Sequence, residues 1–87
     1  MDLARIAKHI EAAEEAISVL ESEQCSLSEA VGLHWRVAEH LAAVRASADC
    51  VSAREPGQVL VRRLLLEEVD HLTAKACRAV SAHDRPS

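Results

Sequence analysis

Phenylalanine and tyrosine do not occur in this chain, tryptophan occurs once, at Trp35, and glycine and proline occur twice each. Sheets draw on aromatic and β-branched side chains, and a many-stranded fold needs glycine and proline at its turns. The chain is poor in aromatics, glycine and proline alike. Cysteine is sparse as well. Cys25, Cys50 and Cys77 are an odd number with no C-x-x-C pair, unlike the even, dense framework of a small disulfide-stapled secreted domain. Unbroken apolar runs never exceed a few residues, far short of a membrane span, and the segment after Asp2 lacks the apolar core of a secretory signal. The expectation is a cytoplasmic protein that makes no use of a membrane.

Charge of either sign is not concentrated enough to name a polyanionic partner. The net charge is −4, and residues 1–24 supply the imbalance, with Asp2, Glu11, Glu14, Glu15, Glu21 and Glu23 against Arg5 and Lys8. Further along, acids and bases cancel. No basic face could neutralise several phosphates, so nucleic acid is excluded as an expected partner. Nor is there a G-x-S-x-G, a phosphate-binding glycine loop or an H-E-x-x-H. The chain carries no catalytic signature, so a non-enzyme is expected ahead of an enzyme, with the metal-site reading below keeping the second open.

What is present points one way. Apolar residues make up 49% of the 87, and alanine, leucine, valine and isoleucine supply nearly all of them. Alanine and leucine lead the helix propensity scale. Eighty-seven residues suffice for one domain with a thin core. The fold class is therefore all-α, a single domain over 1–87.

The pattern divides into three helices. Leu3, Ile6, Ile10, Ala13, Ile17 and Leu20 follow spacings of 3, 4, 3, 4, 3, a heptad seam that predicts a helix over about 3–23 with Asp2 as its N-cap. Gln24 and Cys25 interrupt it. Ser26-Leu27-Ser28-Glu29 is a capping box opening a second helix over about 27–53. Its seam combines Leu27, His34, Leu41 and Ala48 with Ala30, Val37, Val44 and Val51, and a further stripe of Val31, Trp35, Ala38 and Ala42 runs beside it. A helix apolar across more than one seam is touched from two sides, so this one should be central. Arg54-Glu55-Pro56-Gly57 breaks the pattern, and a third helix follows over about 57–82, with 83–87 as a tail. Its first turns, Val59, Leu60, Val61, Leu64, Leu65 and Leu66, are apolar nearly all round and are expected to be deeply buried. Short connections make consecutive helices antiparallel neighbours, giving an up-down-up three-helix bundle. Stripes this wide on so small a chain further suggest a homodimer, a larger helical bundle made from two copies.

Two functional readings compete. In the first, the chain is an interaction module that binds itself and either a protein partner or a small apolar ligand, and needs no cofactor. The residues are Val31, Trp35, Ala38 and Ala42: tryptophan joins a large apolar area to an N–H donor, and alanines beside it admit another helix. In the second, the chain is a metal-binding bundle protein or a metal-dependent enzyme: Glu68 and His71 form an E-x-x-H pair on one helical face and, with Glu39 or an acid of the first helix, hold a divalent metal or iron at a dimer interface. His34, in the middle of the second seam, is expected to be a hydrogen-bonded core residue, while His9 and His40 have no partner that spacing identifies. The cysteines read as small apolar residues rather than activated thiols.

Overall fold

A computed structural model describes residues 3–22, 26–51 and 54–83. Among them are three helices and no strand: α1 (Leu3–Glu21), α2 (Leu27–Asp49) and α3 (Pro56–His83). The expected caps and tail at Asp2, Gln24–Cys25 and 84–87 lie outside the described residues.

Each boundary has a local cause. Ser26 holds an extended backbone, its Oγ accepts from the Glu29 N–H at 3.2 Å, and its carbonyl accepts from Ala30 at 2.8 Å, so the second helix begins where its cap lies. It stops at Asp49, four residues before the expected end. The Cys50 N–H is shared between the carbonyls of Ala46 and Ser47 at 3.3 and 3.2 Å, a tightened last turn that ends the helix before the chain must extend toward Pro56. Pro56 then occupies the first helical position, where its missing N–H costs nothing, and the Glu55 carbonyl accepts from Gln58 and Val59, both at 3.1 Å. At the far end α3 takes in His83, one residue of the expected tail, and the His83 Nε2 meets the carbonyl of Leu20 at the close of α1. That contact occupies one of the carbonyls a helix C-terminus leaves without an internal partner.

The core follows the seams. Ile6, Ala13, Ile17 and Leu20 of α1, Ala30, Val37, Leu41, Val44 and Ala48 of α2, and Val69, Leu72, Ala76 and Ala79 of α3 are buried, and all but Ala48 form one cluster. Five of these thirteen are alanines, which let helix axes approach closely. As expected, α2 is central and packs extensively on both neighbours, whereas α1 and α3 meet least. Exposed ion pairs run along the seams, Arg45–Asp70 at 3.2 Å and Arg62–Asp49 at 3.4 Å between α2 and α3, and Lys75–Glu21 at 3.4 Å between α3 and α1. Such pairs record register more than they stabilise. The molecule measures 51 × 18 × 14 Å.

Four sequence expectations need correcting. The first turns of α3 are not deeply buried: no residue from Pro56 to Glu68 is buried, and Leu60 and Leu64 are 53% and 55% exposed. An aliphatic run with no preferred face does not state which neighbour covers it. Here α1, at 19 residues, is too short to cover a helix of 28. His34 is half-buried beside the core rather than inside it, and Leu27, one turn before the first buried residue of α2, is exposed. Cys50 and Cys77 are exposed free thiols, not packing residues. Cys25 is outside the described residues.

Candidate functional site: an apolar groove between the second and third helices

Val31, Trp35, Ala38 and Ala42 recur at spacings of 4, 3, 4, which places them on one line along α2. That line lies to one side of the buried seam, and all four residues are exposed. Trp35 is 68% exposed, the most of any large apolar side chain described. It is therefore not core. With Val31, His34, Ala38 and Val80 it walls a groove of about 360 Å³ between α2 and the last turns of α3.

The groove continues along the helix pair. A second depression of about 240 Å³ shares His34 and Ala38 with the first and is walled further by Leu41, Ala42, Val69, Thr73 and Ala76. Its one hydroxyl is turned away, because Thr73 Oγ1 donates back to the Val69 carbonyl of its own helix at 2.7 Å. The threonine is thus satisfied within α3 and adds no free donor to the wall. Arg45, bridged to Asp70, stands at the far end of this stretch. The result is an apolar channel with a tryptophan at one end, an ion pair at the other, and the half-buried imidazole of His34 where its two depressions meet. The geometry offers shape and apolar area rather than reactive groups.

The metal-ligand candidates separate. Glu68 and His71 share a polar cleft between α1 and α3 with Glu14, Ser18, Glu21 and Lys75, so an acid of the first helix does face the E-x-x-H pair. Glu39 is on α2 and is not part of that cleft. Among the described residues no three or more His, Cys, Asp or Glu side chains are gathered as a metal ion would need. Lys75, itself paired with Glu21, places a cation inside the cleft and opposes a second one.

One pairing escaped sequence reasoning. His9 of α1 and His40 of α2 meet at Nδ1···Nδ1 2.9 Å, with ring centroids 5.2 Å apart and planes inclined by 46°. That centroid separation is what two imidazoles give when they meet head-on at their Nδ1 atoms. One ring donates and the other accepts, along a nearly straight N–H···N line. The two residues flank their seams rather than occupying them, and 31 positions separate them, so periodicity holds no signal for the contact.

No family model, curated protein or solved structure matches this chain.

Proposed function

We propose that the protein is a helical interaction module that associates with itself and receives an apolar helix of a protein partner in the groove between α2 and α3. The observation that carries the reading is Trp35. A folded domain with one aromatic residue leaves it 68% exposed, over a groove walled by valine and alanine. Large exposed aromatics set beside small residues characterise binding anchors. A groove open along its length accepts a helix lying in it, in the manner of other helix-in-groove complexes. A small apolar ligand would fit the volume but would keep one side in water, where ligand sites usually bury most of the ligand.

Self-association draws support from uncovered apolar residues: Val59, Leu60 and Leu64 at the start of α3 are each about half exposed.

The test is Trp35→Ala. The monomer should keep its helicity and its unfolding midpoint, because the side chain packs on little. Affinity for whichever protein co-purifies with the wild type should fall about thirtyfold or more, as for truncation of an anchor worth about 2 kcal/mol. Unchanged capture of that protein by Trp35→Ala would sink the groove as the site.

A further inference from the structure

We infer that self-association runs through the amino-terminal half of α3, with a second copy docked antiparallel on it, and that the Trp35 groove stays open in the dimer. The inference rests on the self-association read above and adds where it occurs.

Three observations converge. The first is location. Six aliphatic residues, Val59, Leu60, Val61, Leu64, Leu65 and Leu66, fall within eight positions, none of them buried, and Val59, Leu60 and Leu64 are about half exposed. The other exposed large apolar residues described are scattered singly, Leu3 and Val19 on α1 and Leu27 on α2, or belong to the groove, Val31 and Trp35. The second is alignment. Leu60 and Leu64 lie four apart with Arg63 and Glu67 beside them, so the exposed leucines and one pair of opposite charges share a face of α3.

The third is charge, and it selects the occupant. Residues 62–68 read Arg-Arg-Leu-Leu-Leu-Glu-Glu, which is antisymmetric about Leu65. An antiparallel copy related by a two-fold axis level with Leu65 sets the exposed Arg63 of each chain against the exposed Glu67 of the other, while Arg62 stays on Asp49 of α2 and Glu68 in the α1–α3 cleft. A two-fold interface must be self-complementary, and this segment is. In the single chain Arg63 reaches only its own Glu67, at 3.2 Å, with both side chains mostly in solvent. A parallel copy would place like charges together. The Trp35 groove is elsewhere: Val80, which walls it, lies sixteen residues beyond Leu64, about 24 Å along the helix.

Sedimentation equilibrium of the full chain at micromolar concentration tests this. The wild type should weigh twice 9.5 kDa. Leu64→Glu, at a site more than half exposed, should keep its helicity and dissociate at least about thirtyfold more readily. Arg63→Glu and Glu67→Arg should each weaken the homodimer about tenfold, since each sets like charges together, and an equimolar mixture of the two should restore it. A mixture that fails to restore it overturns the antiparallel register. A dimer that withstands Leu64→Glu overturns the location while leaving self-association standing, and all the more so if Trp35→Ala dissociates it. A wild type that is monomeric at every concentration overturns both.

Discussion

The two halves of α3 differ in a way their compositions invert. From Val69 to Ala79 the helix buries a residue at intervals of 3, 4 and 3, with only two large aliphatics, Val69 and Leu72, among the four. From Pro56 to Glu68 it carries six and buries none. Burial is decided by what lies opposite. The carboxy-terminal half faces Ile17, Leu20, Ala30 and Val37 in the same cluster, whereas the other half extends where α1 offers little beyond half-exposed Leu3. Apolar content measures how much cover a segment needs, and only packing partners say whether it has it.

Substitutions can break or sharpen that comparison. The largest effect belongs to the covered half. Leu72→Ala should cost about 3 kcal/mol in urea unfolding, by lost transfer energy and the cavity left behind. Leu64→Ala, the same change at a site more than half exposed, should stay within about 0.5 kcal/mol under monomeric conditions. Equal costs at the two sites would mean that the halves do not differ in cover. The histidine pair is the next largest. His9→Leu or His40→Leu alone strands a half-buried ring nitrogen and should cost about 1–2 kcal/mol, whereas the double replacement removes both partners and should recover much of that loss. Additive losses in the double-mutant cycle would deny the N–H···N bond. Ser26→Ala removes the one polar cap observed on α2 and should cost about 1 kcal/mol, with Ser26→Gly milder. The smallest effect is at the rim. Arg45→Ala breaks the pair with Asp70, which is largely in solvent, and should change stability by about 0.5 kcal/mol or less, less still in high salt.

The fold was legible because its signals are local and redundant. Ser26 and Pro56 mark helix starts by their own backbone chemistry, and of the seam Leu3, Ile6, Ile10, Ala13, Ile17 and Leu20 four residues are in the core, with Ile10 half-buried against it and Leu3 exposed at the open end. The groove was legible in half. Val31, Trp35, Ala38 and Ala42 share a line because they share a helix, but the opposite wall, Thr73, Ala76 and Val80, comes from another helix whose register no spacing encodes. For the same reason His9 found His40 only in three dimensions, and Glu39 lost its place beside Glu68 and His71. His34 misled because a seam position predicts direction and not depth: it points along the α2–α3 side, where the bundle leaves a channel rather than a core.

The continuity of α3 has a consequence for how its uncovered half keeps its shape. Starting a helix is the expensive step, since one turn must be ordered before its first internal hydrogen bond forms, whereas lengthening an existing helix adds one bond per residue fixed. The packed segment from Val69 onward is ordered by the bundle and acts as a permanent seed. Residues 56–68 need only propagate from it, with Pro56 closing the run. Their amides should accordingly exchange with solvent in a graded series, slowest next to Val69 and fastest near Gln58, as a zipper opens from its free end.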